Sequence, residues 1–122
     1  MQVRVHHYDA FSLTPHKGNP AGVVLEADGL SDSTMQAIAL KVGFNETAFV
    51  LPSDKATRRI RFFTPGHETP LCGHAAVASI VTLFEQRLLS ESSLPLSLAI
   101  ETDAGVLPIS IRTGSEGDSG TG

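Results

Sequence analysis

Between Gly73 and Gln86 the chain runs through Ala, Val, Ile, Leu and Phe with no Asp, Glu, Lys or Arg before Glu85. A helix that is apolar on every side has no face to give to water, so it belongs in the middle of a fold with other elements around it. The remaining patterns say what those elements are. Val3 to Tyr8 starts in apolar and polar alternation that breaks at His7, and Gly22–Leu25, Thr47–Leu51, Arg58–Phe63, Ser97–Thr102 and Val106–Arg112 are further β-rich runs. Pro52–Thr57 and Asp103-Ala104-Gly105 are turn sequences that join neighbouring strands as hairpins. A second helix follows Ser31, which can cap it. Met35, Ile38, Ala39 and Val42 fall at helical spacing, and Gly43 is suited to a left-handed end. The fold class predicted is α+β: a curved, mostly antiparallel sheet around one buried helix, with one further helix outside.

With 122 residues the chain suits one domain, placed at 1–112. Residues 113–122 contain four glycines and no hydrophobic side chain, as expected of a disordered tail or linker stub. The net charge of -4 is spread along the chain with no basic cluster, which argues against nucleic acid. Cys72 is the single cysteine, so no intramolecular disulfide can form and nothing calls for an oxidising compartment. No run is long and apolar enough for a signal peptide or a membrane span, so a cytoplasmic location without membrane contact is expected.

Two places carry candidate chemistry. Glu46 stands at a strand entrance among apolar and small neighbours, where partial desolvation would tune a carboxyl for general acid or base work. It is also what a glutamate at a sheet edge, with its head group in water, looks like. Cys72-Gly73-His74-Ala75 precedes the apolar helix, whose first N–H groups suit a carboxylate or phosphate. His74 adds a group that changes charge near neutral pH; the plainer alternative makes Cys72 a small buried hydrophobe and His74 an ordinary helix-start residue. His67, Glu68, Cys72 and His74 match neither structural-zinc spacing nor a His-Glu-x-x-His helix, so no metal is expected. Lys17-Gly18-Asn19-Pro20 is not a phosphate-binding loop.

Taken in order, Tyr8-Asp9-Ala10-Phe11, Gly18-Asn19-Pro20-Ala21-Gly22-Val23, Asn45-Glu46-Thr47-Ala48-Phe49, Arg61-Phe62-Phe63-Thr64-Pro65, Cys72-Gly73-His74-Ala75 and Ala104-Gly105-Val106-Leu107 resemble the amino-terminal half of PhzF-like proteins, the phenazine-biosynthesis family. That resemblance implies a diaminopimelate epimerase-like fold in which two similar domains enclose an active site. It implies Glu46 as the catalytic acid/base, Asn19, Gly73 and His74 as substrate-binding residues, and Cys72 as pocket lining. The chemistry implied is cofactor-independent proton transfer on a small carboxylic acid, an isomerase or epimerase reaction. The usual second domain has no matching segment here, so either that domain or a second copy of the chain is expected to cover the cleft. Two other readings stay open: a non-catalytic truncated domain that binds a small acid or a protein partner, and a hydrolase using Cys72 as nucleophile, which requires a depressed thiol pKa.

Overall fold

The order of helical and strand-like stretches decides how the strands pair, because parallel neighbours need a long crossover and antiparallel ones do not. The computed structural model of the protein describes residues 3–10, 19–89 and 96–111. The elements are β1 (His6–Ala10), β2 (Asn19–Val24), α1 (Asp32–Val42), β3 (Glu46–Leu51), β4 (Arg58–Phe63), β5 (Glu68–Thr69), α2 (Gly73–Glu85), β6 (Leu96–Thr102) and β7 (Gly105–Ile111). They form one sheet in the order β1-β2-β3-β4-β6-β7, with β5 paired to β4. The β1/β2, β3/β4, β4/β5 and β6/β7 ladders are antiparallel, as expected of a mostly antiparallel sheet. The β2/β3 and β4/β6 ladders are parallel, and each is bridged by a helix, α1 in one case and α2 in the other.

Each helix covers one face of the sheet. Along β3, Ala48 and Val50 point to α2 while Phe49 points to α1, and β4 divides in the same way, Ile60 and Phe62 against Phe63. Both faces of β3 are therefore buried, which explains its nearly continuous apolar sequence. Leu98, Ile100, Leu107 and Ile109 of the distant strands also pack into the α2 cluster, so the sheet wraps around that helix. The polar residues of α2 are accommodated locally: Ser79 Oγ donates to the Ala75 carbonyl at 2.8 Å and Thr82 Oγ1 to that of Ala78 at 2.7 Å. Burial of α2 is less complete than its sequence suggests, for Val77, Val81 and Phe84 are only half-buried.

The ends of α1 follow their sequence. Ser31 Oγ accepts from the Thr34 amide at 3.1 Å, and Gly43 closes the helix at φ 77°, its amide donating to the Ala39 carbonyl. At the other end of the chain Gly105 takes φ 126° in the β6/β7 turn. Three boundaries differ from expectation. Pairing in β1 starts at His6 rather than Val3, because Val3 and Val5 are spent on packing against the α1 cluster. The strand β2 begins at Asn19, before the expected Gly22, with Pro20 tolerated near its start. The supposed loop from Thr64 to Cys72 contains the two-residue strand β5. The greater part of the Ser12–Pro20 loop and the tail at 113–122 lie outside the described residues.

Candidate active site

Register brings the site together. Thr47 pairs with Phe63, so the end of β4 lies beside the start of β3. From Phe63 the chain turns through residues 64–72, pairs briefly as β5 and starts α2 at the same end of the sheet. Two features hold this return loop. Thr64 Oγ1 accepts from the Gly66 and His67 amides, and Gln36 on α1 donates to the carbonyls of Thr64 and Pro65 at 2.9 and 3.2 Å. Arg61 grips Glu68 with two hydrogen bonds, at 2.9 and 2.8 Å, and reaches Asp32 of α1 at 2.7 Å. Its hydrogen bond and charge hold Asp32 below the usual carboxylate range.

At the meeting point His74 Nε2 lies 2.9 Å from Glu46 Oε1, with about a fifth of each side chain exposed (20% and 19%). Cys72 Sγ is 3.5 Å from His74 Nδ1 and 3.7 Å from Nε2. Glu46 is the first residue of β3, Cys72 caps α2 from an extended backbone, and His74 sits in the helix's first turn. A carboxylate only accepts, so the short contact makes Nε2 the donor and turns Nδ1 toward the thiol. Gly73 is exposed at the start of α2, with room beside its Cα. Asn19 opens β2 two positions before Ala21, the register partner of Glu46, which puts its backbone at the same end of the sheet. Thr47 Oγ1 is buried with no hydrogen-bond partner among the described residues, but strand alternation turns it to the opposite face.

The structure thus brings Glu46, Cys72 and His74 into one cluster and separates His67 and Glu68 from it. His67 is tied into the Thr64 turn and Glu68 is held by Arg61. Sequence reading gave Arg61 no role beyond its place in the Arg61–Pro65 motif; its local signal is a charged residue between the buried Ile60 and Phe62. Two clefts, of about 550 and 580 Å3, lie elsewhere and share Leu25, Glu26 and Asp28 near the carboxyl end of β2; Glu46, Cys72 and His74 line neither. The cluster lies at the sheet's other end, with its side chains partly exposed.

Burial pushes the Cys72 thiol up, and the nearby Glu46 carboxylate adds to this, while the amides of Ala75 and His74 pull the other way. A raised thiol pKa keeps sulfur protonated at neutral pH, the reverse of what a nucleophile needs. Cys72 is accordingly expected to react with iodoacetamide at pH 7.5 more slowly than glutathione. A faster reaction, followed by mass spectrometry, would return the cysteine-nucleophile reading to contention.

The family described as phenazine biosynthesis-like protein matches residues 8–121. The chain is 46% identical over 110 residues to the uncharacterized isomerase YfhB of Bacillus subtilis, covering 90% of this chain and 36% of that protein. In structure it is similar to a phenazine biosynthesis protein of the PhzF family from Bacillus anthracis, with TM-score 0.86 and 55% identity over 96% of this chain and 38% of that one. It is also similar to a predicted epimerase, PA4716, from Pseudomonas aeruginosa, with TM-score 0.78 and 27% identity over 93% of this chain and 40% of the other. The chain therefore spans between about a third and two fifths of the length of these three proteins. No helix among the described residues is long and apolar enough to cross a membrane.

Proposed function

The chain belongs to the phenazine biosynthesis-like protein family, and from that premise we propose that it carries the acid/base half of an isomerase acting on a small carboxylic acid. The observation that supports this most is the 2.9 Å contact between Glu46 and His74, made by two segments 28 residues apart at the start of a helix. Glu46 takes a proton from a carbon of the substrate, and the C–H electron pair passes into the adjoining conjugated or carboxyl system. The acid so formed returns the proton to a different carbon, or to the opposite face of the same one. No redox change and no cofactor is needed. His74 holds Oε1 and leaves Oε2 for the proton. The amino end of α2, at Gly73, anchors the substrate carboxylate, as helix amino ends do, and the His74 side chain borders the same place. Asn19 contributes from the same end of the sheet, and Cys72 lines the pocket as a thiol.

The test is solvent deuterium incorporation into a panel of small unsaturated and amino-acid-like carboxylic acids, followed by NMR and mass spectrometry. Exchange that depends on Glu46 supports the reading. Carboxylate binding without exchange, unchanged by Glu46→Gln, favours instead a domain that binds a small acid or a partner and does no chemistry.

Acid/base work of this kind gains most where water is excluded. We therefore assign the cover over the site to a second domain or to a second copy of the chain, acting in the cytoplasm. Light scattering across a concentration series separates the two. Twice the 12.9 kDa of one chain supports a second copy as the cover, and the single-chain mass removes it. A second copy would set two Glu46 side chains facing one cleft.

A further inference from the structure

Glu46, Cys72 and His74 each offer one ligand atom, and no two of these atoms are more than 4.8 Å apart. Local spacing hides the set, because Glu46 arrives from β3 while Cys72 and His74 flank the start of α2. We propose that these three side chains form a binding site for one thiophilic divalent cation of the zinc class, and that its occupancy blocks the acid/base pair. The blocking half rests on the function proposed above; the binding half does not.

Geometry and donor chemistry both point this way. Zinc sits about 2.3 Å from sulfur and about 2.0 Å from nitrogen or carboxylate oxygen, so tetrahedral ligands lie roughly 3.3–3.6 Å apart. Here Sγ and Nε2 are 3.7 Å apart, and Nε2 and Oε1 2.9 Å. Shifts of a few tenths of an ångström bring both separations to the ideal, and the third, from Sγ to the carboxylate, lies within 4.8 Å and closes by up to about 1 Å through side-chain rotation. One sulfur, one imidazole nitrogen and one carboxylate oxygen suit Zn2+ or Co2+; Mg2+ and Ca2+ require six or more oxygens. All three side chains retain some exposure, so an ion can enter from solvent, and the fourth position stays open to water or to a carboxylate. A cation bound through Oε1 would take the place of the His74 contact and draw electron density from the Glu46 carboxylate, so that Oε2 no longer takes up a proton from carbon. It acts as an inhibitor, and the proposed reaction runs without it.

The test is calorimetric titration of the protein with Zn2+ alone, with Co2+ as a spectroscopic probe. One equivalent of Zn2+ per chain is expected. Cys72→Ser and His74→Gln should each weaken binding by roughly tenfold or more, since even residues outside the ligand shell produce effects on that scale. Co2+ should show a thiolate charge-transfer band that Cys72→Ser abolishes, with circular dichroism confirming that both variants fold. Absence of a saturable thiolate band, or zinc affinity unchanged in both variants, would overturn the site; the second result places the ion elsewhere. One equivalent of Zn2+ should also stop isotope exchange, and a chelator should restore it. Exchange that continues in the zinc-loaded protein overturns the blockade. A metal-free protein that never exchanges even with its cleft covered would refute the acid/base reading, while the cobalt band still decides the cation site.

Discussion

Glu46→Gln is expected to lower the rate of solvent deuterium incorporation into substrate by about a thousandfold, in the middle of the roughly 10²–10⁴-fold range that a positioned general acid or base contributes. The substitution is close to isosteric. The amide oxygen can still accept from His74 Nε2, now 2.9 Å from Oε1, so the contact between β3 and the start of α2 survives. About a fifth of the side chain is exposed, and loss of one partly solvated charge at a strand end changes stability by roughly 0.5 kcal/mol or less. An amide cannot take up a proton from carbon at neutral pH. The expected signature is therefore a large fall in exchange, an unchanged far-ultraviolet spectrum and a nearly unchanged denaturation midpoint. It should be measured in the protein with its cleft covered, since an open site in water gains least from any carboxylate. Undiminished exchange would remove Glu46 from the mechanism whatever the family resemblance implies.

What the amino-acid sequence made legible was local. Ser31, Met35, Ala39 and Gly43 define α1 almost to the residue because capping and helical periodicity act within a few positions. The charge-free run after Cys72 announced α2 and its central place for the same reason. Pairing was less visible. Nothing in β2 or β3 says that they run parallel, because the direction is set by the crossover through α1. Glu68-Thr69 has no alternation to mark it as a strand, and exists as one through its ladder to Phe62 and Phe63.

The site shows the same division. Glu46 at a strand entrance, and Cys72, Gly73 and His74 at a helix start, were each identifiable from neighbouring residues. Their meeting was not, since it depends on the Thr47–Phe63 register and on a return loop fixed by Arg61, Glu68 and Gln36. Judged by spacing alone, His67 and Glu68 lay nearer to His74 than Glu46 did, yet the fold gives both to the loop. Short separation along a chain is a poor guide where a turn hydrogen-bonds to its own backbone and a strand end does not.

Because the seating of α2 on the sheet sets where His74 meets Glu46, a core change should be felt there. Phe62→Ala is expected to destabilise the protein by about 3–5 kcal/mol, the range for truncating a buried aromatic side chain. Phe62 is fully buried on the face of β4 that packs α2, in one cluster with Ala75, Ala78 and Ile80. The small residues of α2 bring the helix close to the sheet but leave little side-chain volume to refill the space the ring vacates. Against the roughly 5–15 kcal/mol that holds a domain folded, this is a large share. Urea denaturation followed by circular dichroism should show the midpoint fall, with Phe62→Leu losing less than half as much because it retains most of the apolar volume. A loss below about 1 kcal/mol for the alanine variant would mean that the surrounding core collapses into the space or that α2 is not seated on Phe62. If α2 is seated there, isotope exchange in Phe62→Ala should decline at temperatures where the protein is still folded, since His74 rides on the first turn of the loosened helix while Glu46 stays with β3.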